Sequence, residues 1–468
     1  MKKLFLLLLL LPLWVYGQQA HPWLHIYHND VDFNSVKATE ITEMTHRLSD
    51  SDDSLDSLIV NTKENRLSVA LSDIDRCAVG TNVPTVYITI PDYPNLSELY
   101  DKELYLDALI SIDGNGVVDD LEPTAVSIKG RGNSTWNYVK KPYRLKFDKK
   151  IAICGLAKAK SYALIANYID CSLMRNAVAL KLGQLLEMPF TNHCQPIRVY
   201  FNGIFKGAYF ITEKIGITGA SVDIDEETGI LFEMDTNFDE AYKFWSMYYN
   251  LPMMVKDPDL SEIAEVKGVT PESLLSSWRD DFTEFERKVY MGEDLSTSLD
   301  MESLVNYLIV YNVCGNREPV WPKSVYLYKA SAQDVYHFGP IWDFDWGFTY
   351  NDGVENQVTD KLLLEMFDYP QYGGPFLMQI SKTPEFRALY KEKFDHFKTE
   401  LYPLLLEYMD EYADQIEPSA IENGVVWPVE PGRTEGSFNF RENLDKLKEW
   451  IQNRMEFISG HENFGLYN

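Results

Sequence analysis

The order of hydrophobic patterns along the chain constrains its fold more than any other feature. From Val83 onward, VPTVYITI, LYLDALISID and then PIRVYFNGIFKGAYFITEKI are rich in β-branched and aromatic residues, as strands are. Asn202-Gly203 lies within the last of these segments and predicts the tip of a hairpin. From about Thr383 the chain is mostly amphipathic helix, and it ends with FRENLDKLKEWIQNRMEFI. Strands first and helices later predict an α+β fold.

Two segments between these halves are predicted to be helical. SLMRNAVALKLGQLLEM, which contains Arg175 and Asn176, has apolar residues at helical spacing. MESLVNYLIVYNVCG, which begins at Met301, is an apolar helix in this interpretation. The segments SVYLYKA and YHFGPIWDFDW come next and predict a further hairpin.

Residues 1–17 have the features of an export signal. Lys2 and Lys3 give a positive start, an apolar run extends from Leu4 to Trp14, and the small residue Gly17 offers a cleavage point. The apolar run is shorter than the roughly 20 residues that span a bilayer. We therefore expect a cleaved signal peptide, a secreted, periplasmic or cell-surface protein, and no stable membrane insertion.

Residues 18–82 are predicted to form a small β-rich N-terminal module. HPWLHIYHNDVDFNSVKATEITEMTH and LIVNTKENRLSVALSDIDRCAV each contain a strand, a polar turn, a second strand and a short acidic step around Ile41 or Ile74. A spacing of about 33 residues between the copies favours a small β repeat. The main domain is then expected to cover residues 83–468.

The charge balance of the chain limits its partners. The chain has 43 Lys and Arg residues against 71 Asp and Glu residues, and its formal net charge is −28. Surfaces that bind nucleic acid are basic, and anionic lipid also attracts basic segments. Nucleic acid and anionic membrane surfaces are therefore not expected partners.

IWDFDWGF, from Ile341 to Phe348, is the most informative candidate for chemistry. If the segment is a strand, Asp343 and Asp345 point to one face and the aromatic residues around them pack on the other. Two carboxylates among large apolar residues are costly to bury unless they are paired or bind a metal ion. Oxygen ligands favour Mg²⁺ or Mn²⁺ over zinc. The alternative is a strand end whose Asp side chains cap nearby backbone.

Asn316 and Glu318 lie where the apolar helix ends, in the segment GNRE. An Asn and a carboxylate at a helix exit, followed by a hairpin that ends in Asp, match what phosphoryl transfer needs. In that chemistry a carboxylate orients the hydroxyl group, and Asn and Asp hold the metal ions. Asn316 could instead be only a helix C-cap.

The segment IKGRGNSTWNYVKKPYRLKF provides a glycine bend and a group of cations in an otherwise acidic chain. Gly130 and Gly132, on either side of Arg131, would let backbone N–H groups approach phosphate oxygens. The candidate phosphate partners that follow the bend are Lys140, Lys141, Arg144 and Lys146. The alternative is a solvated strand edge with protective lysines.

Two further pairs are weaker candidates. Glu213-Lys214, at the end of the Asn-Gly hairpin, and Arg175-Asn176 could reach the same site, or they could form ordinary salt bridges. The chain contains no GxxxxGK[ST], GxSxG or HExxH motif, so P-loop, nucleophile-elbow and zincin chemistry have no support.

Taken in order, seven motifs resemble the family of CotH kinases, the spore-coat protein H family. They are KGRGNSTW at Lys129, KKPYRLKF at Lys140, LIANYIDCSLMRNAVALKLG at Leu164, VYFNGIFKGAYFITEKI at Val199, FEMDTNFDE at Phe232, KSVYLYK at Lys323 and GPIWDFDWGF at Gly339. Each motif alone is modest, but seven in the family order are specific. The N-terminal module lies outside them.

The resemblance implies an atypical protein-kinase-like domain, with N-terminal antiparallel sheets and C-terminal helices. Such a domain binds ATP with Mg²⁺ or Mn²⁺ and phosphorylates Ser or Thr of exported proteins. The family's metal-binding Asp corresponds to Asp343, and Asp345 lies beside it in the same motif. The expected nucleotide-binding residues are Gly130, Arg131, Lys141, Arg144, Lys146, Glu213 and Asn316.

The chain departs from the family at the catalytic position, where Glu318 replaces the family's Asp. Glu is longer by one methylene, which displaces the carboxylate by about 1 Å, and misplacement on that scale can cost about 100-fold in rate. The resemblance therefore leaves open whether the chain transfers phosphate or only binds nucleotide.

Two other functions remain open. A non-catalytic surface protein that binds a cell-envelope ligand, such as a glycan, would fit the 29 Tyr and 10 Trp residues and the change at Glu318. A metal-dependent phosphoesterase would use the same carboxylates.

Overall fold

The structure is a computed structural model, and it describes residues 23–29, 32–48, 55–80, 82–91, 102–348, 359–365, 372–428 and 439–468. The predicted export signal, residues 1–17, lies outside the described residues. The chain divides into two compact units. Unit 1 comprises residues 1–173, 195–211 and 410–444, and unit 2 comprises residues 174–194, 212–409 and 445–468.

Unit 1 begins with six short strands in two three-stranded sheets. They are β1 (Trp23–Asn29), β2 (Asp32–Lys37), β3 (Ile41–Leu48), β4 (Leu55–Thr62), β5 (Arg66–Ala70) and β6 (Arg76–Gly80). The sheet orders are β2-β1-β6 and β3-β4-β5. The first predicted repeat contains β1 to β3 and the second contains β4 to β6, so the last strand of each repeat pairs with the hairpin of the other repeat. Both repeats therefore contribute to both sheets, and the two share one apolar core, which includes Leu24, Ile26, Leu58, Val60 and Val69.

A buried carboxylate links this N-terminal segment to the C-terminal part of unit 1. Arg76, in β6, donates to Glu417 over 2.5 Å, and its guanidinium lies 3.7 Å from the ring centre of Tyr27. Arg441 binds the same carboxylate over 2.6 Å and 3.0 Å. The predicted boundary at residue 82 stays a prediction, but the segment before it makes specific polar contacts within unit 1.

Seven further strands, which belong to unit 1 except for the residues after Ile211 in the last of them, close into a barrel. They are β7 (Thr85–Thr89), β8 (Leu106–Asp113), β9 (Leu121–Gly130), β10 (Tyr143–Ile151), β11 (Ala159–Ile165), β12 (Gln195–Phe201) and β13 (Ile204–Glu213). Their order is β10-β11-β13-β12-β7-β8-β9, and β9 pairs with β10 to close the barrel. Asn202 and Gly203, both at positive φ, form the tip between β12 and β13 as predicted. The pair β7 and β12 is parallel, which departs from the expected antiparallel sheets.

Unit 2 contains a five-stranded antiparallel sheet. Its strands are β14 (Ile230–Met234), β15 (Lys243–Trp245), β16 (Pro252–Asp257), β17 (Val325–Lys329) and β18 (His337–Phe338), in the order β15-β16-β14-β17-β18. β14 is central and buried along its whole length. The predicted hairpin is present as β17 and β18, but its second strand has only two residues.

Helices make up most of the rest. They are α1 (Arg175–Leu185), α2 (Leu260–Lys267), α3 (Pro271–Met291), α4 (Met301–Val313), α5 (Gly373–Ser381), α6 (Pro384–His396), α7 (Tyr402–Val426) and α8 (Phe440–Gly460). The helices expected around Arg175 and from Met301 are therefore confirmed as α1 and α4. Asp300 caps α4 by accepting the N–H groups of Glu302 and Ser303.

The helix α4 is buried from Ser303 to Val313, and most of its residues in this stretch are apolar. Sheets precede most of the helices, and the α+β prediction is confirmed. Within the described ranges, no helix combines the length and the apolar character that crossing a bilayer requires.

Candidate functional site

Three Asp carboxylates of unit 2 interact electrostatically with the carboxylate of Glu318, and all four lie after the ends of three elements; we call them the acidic cluster. Asp235 directly follows β14, Glu318 lies shortly after α4, and Asp343 and Asp345 follow β18. Burial raises the pKa of Glu318 well above its usual value, and the charges of Asp343, Asp235 and Asp345 raise it further. The helix exit and the Asp pair, which the sequence suggested as parts of one phosphoryl-transfer site, therefore lie close together.

The segment that carries Asp343 and Asp345 is not a strand, so that expectation was wrong. β18 ends at Phe338, and Pro340, which lacks an N–H donor, cannot continue a ladder. Asp343 has a φ of 62°, and the N–H of Gly347 bonds to the carbonyl of Phe344 over 3.1 Å. The backbone therefore turns back within the motif.

The aromatic residues of this segment do not share one face either. Phe344 is fully buried, Trp342 packs against a small core cluster beside β14 and β17, and Trp346 is 47% exposed. The pattern of alternating Asp and aromatic residues thus forms a loop that buries one ring and exposes another.

The first turn of α1 binds this loop directly. Asn176 accepts the N–H of Phe344 over 2.9 Å at its side-chain oxygen and donates from Nδ2 to Oδ1 of Asp345. Arg175 donates to the carbonyl of Asp345 over 3.1 Å. Of the two weaker pairs in the sequence, Arg175-Asn176 therefore contacts the Asp segment.

Asn316 has a different role from the C-cap that its position suggested. Gly315, at a φ of 60°, bonds to the carbonyl of Asn312, and the Asn316 N–H bonds to the carbonyl of Tyr311, which is a Schellman ending for α4. The side chain of Asn316 is therefore available for the site. Its Nδ2 donates to the carbonyl of Asp343 over 3.0 Å, and its Oδ1 accepts the N–H of Glu318 over 2.9 Å.

The carboxylate of Glu318 is only partly satisfied. Its Oε2 is inaccessible to solvent and has no hydrogen-bond partner among the described residues. A buried acceptor without a partner costs about 1–3 kcal/mol. Such a group in a native structure needs an explanation, and a ligand or ion is one of the explanations available.

Asp235 was missed by the sequence reasoning. Its Oδ1 accepts the Asn237 N–H over 2.6 Å and the Lys323 ammonium over 3.3 Å, and its Oδ2 accepts the Ser324 N–H over 3.2 Å. The signal was present in FEMDTNFDE, because a carboxylate that directly follows a mostly apolar strand lies at the edge of a sheet. Glu233, in β14, binds Lys256 over 2.8 Å and Tyr326 over 2.9 Å.

The residues of the acidic cluster fit a divalent cation that is shared with phosphate. No three described His, Cys, Asp or Glu side chains are disposed to hold an ion by themselves. Mg²⁺ is usually bound by one or two carboxylates together with substrate phosphates and water. A bound cation would offset the effect of the three Asp charges on Glu318 and would give its unpaired Oε2 a partner.

The glycine bend, in unit 1, has a packing explanation. A Cβ on Gly130 would lie 2.4 Å from ring atoms of Trp136, so the indole occupies the space of a side chain. Lys141 lies 5.0 Å from the centre of that ring and donates to the carbonyl of Trp136 over 2.5 Å. The Arg131 N–H bonds to the carbonyl of Pro142 over 3.2 Å. The bend is therefore a compact local structure.

Lys140 is not a phosphate partner, so that expectation was wrong. The side chain is buried, and Nζ donates to the carbonyls of Ala166 and Ala208 and to Oδ1 of Asn423. Burial lowers the pKa of Lys140 well below its usual value. However, only the ammonium form has a hydrogen for each of three acceptors, so the geometry requires a charged lysine.

Arg144 and Lys146 lie on the outer side of β10, because residues two apart in a strand share a face. Arg144 donates to Oγ of Ser161 over 3.4 Å, and the ammonium of Lys146 lies 5.6 Å from the ring centre of Tyr105. Their predicted contact with phosphate stays a prediction.

Glu213, in unit 2, binds a histidine. Its Oε1 contacts Nδ1 of His193 over 2.7 Å, and its Oε2 accepts the backbone N–H of His193 over 3.0 Å. The hydrogen bond to Glu213 raises the pKa of His193 above its usual value, against the effect of burial. A direct role of Glu213 in nucleotide binding stays a prediction.

Comparison with known proteins gives one result that covers this site. No curated protein matches the chain. The family model described as "CotH kinase protein" matches residues 128–458, which include every motif quoted above and the whole acidic cluster. Because the match covers most of its length, the chain belongs to the CotH kinase family.

Proposed function

We propose that the chain is an exported, ATP- and metal-dependent enzyme on an atypical protein-kinase-like fold, which transfers phosphate to Ser or Thr of exported proteins. Family membership supports a kinase-like protein. The observation that carries the proposal is the acidic cluster, in which Glu318 is buried beside three Asp residues and lacks a partner for Oε2. Export rests on the sequence of residues 1–17.

Three residues of the acidic cluster and the neighbouring Asn316 have proposed roles. Asp343 and Asp345 hold Mg²⁺ or Mn²⁺, which neutralises charge on the phosphate oxygens when bound. Asn316 fixes the helix exit against the Asp343 segment through its two hydrogen bonds. Glu318 accepts the proton of the acceptor hydroxyl, once a nearby positive charge favours its ionised form. Arg131, Lys141, Arg144 and Lys146 remain the proposed cations for the nucleotide.

The test compares Asp343→Asn with wild type in transfer of radiolabelled phosphate from ATP to a protein acceptor. We expect the variant to lose transfer and to keep its melting temperature. Asp294→Asn is a matched control, because Asp294 accepts the N–H of Ser296 in an exposed turn away from the cluster. Transfer by Asp343→Asn at the wild-type rate would contradict the proposal. Release of phosphate without any acceptor would favour a phosphoesterase.

A specific observation favours a second function, binding of an envelope glycan without catalysis. Trp245 is 44% exposed and lies 4.8 Å from the ring of Phe238 and 6.1 Å from that of Tyr372, and Tyr372 lies 4.8 Å from Trp321. The other three rings are half-buried, so Trp245 forms the exposed end of an aromatic group, and contiguous apolar surface of this kind is one mark of a binding site. Calorimetric titration separates the functions: no heat with ATP and Mg²⁺ at millimolar concentration would favour the glycan.

A further inference from the structure

The side-chain amide of Asn176 makes two hydrogen bonds at the loop that carries the Asp pair. Oδ1 accepts the N–H of Phe344 over 2.9 Å, and Nδ2 donates to Oδ1 of Asp345. Asn176 is 5% exposed and Asp345 is 4% exposed, so both bonds are shielded from water. Hydrogen bonds to a charged group contribute more than neutral ones, and burial strengthens them.

Among the residues close in size, only Asn can make both bonds. An Asp at this position would accept from Phe344 but would have no hydrogen for Asp345, and Leu would offer neither group. The neighbouring Arg175 adds a bond to the carbonyl of Asp345 over 3.1 Å. The first two residues of α1 therefore bind three groups of this turn: the carboxylate of Asp345, its backbone carbonyl and the N–H of Phe344.

The two Asp residues are held in different ways. Asp343 is tied through its backbone carbonyl to Asn316 over 3.0 Å, whereas Asp345 is tied through its carboxylate to Asn176. Holding a ligand carboxylate by a fixed donor is what outer residues do at metal sites, where they set the orientation of the group that binds the ion.

We propose that Asn176 is a positioning residue that orients the carboxylate of Asp345 for a divalent cation. The inference rests on the proposed function, because it takes Asp345 to be a ligand. The acceptor side of the amide anchors the turn at Phe344, and the donor side fixes Oδ1 of Asp345. Loss of the donor alone should therefore weaken ion binding while the turn stays anchored.

The test measures binding of Mn²⁺ to the full chain by electron paramagnetic resonance, with and without ATP. Asn176→Asp keeps the acceptor for Phe344 but removes the donor and adds a negative charge. Asn176→Ala removes both. Loss of a residue that holds a metal ligand typically costs 10–100-fold in metal affinity, and we expect a loss of about that size in both variants.

Asn306→Ala is the matched control. Asn306 is also a buried Asn, and its side chain donates to the carbonyl of Leu186 over 3.2 Å, away from the Asp pair. We expect this variant to lose stability and to keep the wild-type affinity for Mn²⁺.

The outcomes separate the two proposals. If wild type binds Mn²⁺ and both Asn176 variants bind it equally well, Asn176 has only a structural role and the inference is wrong. If wild type does not bind Mn²⁺ even with ATP, the proposed function fails and the inference fails with it. Because Asn176→Asp retains the anchor at Phe344, the comparison holds even where Asn176→Ala does not fold.

Discussion

Asn316 donates its side-chain amide hydrogen to the backbone carbonyl of Asp343 over 3.0 Å. The same side chain accepts the N–H of Glu318, so one fully buried residue joins the exit of α4 to the loop after β18. The amide is one of several links between the two segments, beside the hydrogen bond from the N–H of Phe348 to the carbonyl of Cys314 over 2.8 Å. The amide, however, contacts both Asp343 and Glu318.

Asn316→Ala should therefore reduce catalysis by more than it reduces stability. A displacement of about 1 Å at a reacting group can cost about 100-fold in rate, and we expect a loss of that order in kcat at saturating ATP. Asn115→Ala is the control, because Asn115 is a buried Asn that donates to the carbonyl of Val83 over 2.8 Å within unit 1. Equal losses of kcat in the two variants would contradict the prediction.

Glu318→Gln should stabilise the protein at neutral and alkaline pH while abolishing transfer. A carboxyl whose pKa is raised on folding ionises more easily in the unfolded chain, so stability falls as pH rises from about 4.5 through the folded-state value. Removing the charge should recover about 1–3 kcal/mol at pH 8 and nothing below about pH 4. Melting temperatures of both proteins across this range check the prediction, and a variant less stable than wild type at pH 8 would refute it.

His337 should make stability depend on pH near neutrality. Its two ring nitrogens contact Asp300 over 2.9 Å and Asp334 over 3.3 Å. Burial alone would lower the pKa of His337, but the bonds to the two carboxylates raise it above its usual value. The stabilisation is then fully present below about pH 6.5 and is lost as pH rises through the folded-state value.

For His337→Asn we expect a loss of about 1–3 kcal/mol near pH 6 that shrinks towards pH 9. Thermal unfolding of wild type and variant at each pH measures the difference. His46→Asn serves as a control because His46 is exposed in β3. A difference for His337→Asn that does not change with pH would show that the ring is held by packing alone.

Periodicity and turn residues predicted the parts of the fold that depend on local sequence. The mostly apolar run from Met301 to Val313 is the buried helix α4. Asn202-Gly203 forms the hairpin tip, because few other conformations suit this pair of residues. The pairing of strands into a closed barrel was not predictable, since closure depends on contacts between segments far apart in the chain.

The site was predicted only in part, because it too combines local patterns with contacts between distant segments. Asp343, Asp345 and the α4 exit were found because carboxylates among apolar residues are unusual. Their alternating pattern nevertheless predicted a strand, whereas the segment is a turn. The N–H of Phe344 in this turn bonds to Asn176, a residue in a distant part of the sequence, which the local pattern does not include. Lys140 looked like its neighbours in sequence, and only its three oxygen partners distinguish it as a buried residue.

Glu417→Ala should destabilise unit 1 strongly. Glu417 is buried and binds both Arg76 and Arg441, so its removal leaves two guanidinium groups without their shared partner. Because both arginines are about a third exposed and Arg441 also binds a second carboxylate, we expect a loss of about 1.5–3 kcal/mol, the contribution of a hydrogen bond to a charged group. Asp395→Ala removes an exposed partner of Lys391 and should cost less than about 1 kcal/mol. Urea unfolding midpoints compare the two variants, and similar midpoints would contradict a structural role for Glu417.

Lys140→Met and Lys146→Met should separate structure from nucleotide binding in one basic motif. Lys140→Met removes the donor that three oxygens share, of which Oδ1 of Asn423 keeps another donor, the N–H of Ala208, so we expect a loss of about 2–4 kcal/mol with unchanged affinity for ATP in the folded protein. Lys146 is exposed on the outer side of β10, so its replacement should change stability by less than about 0.5 kcal/mol but weaken ATP binding if it contacts phosphate. Urea unfolding and calorimetric titration with ATP measure both quantities. If Lys140→Met is as stable as wild type but binds ATP more weakly, the ammonium group of Lys140 contacts the nucleotide and the prediction is wrong.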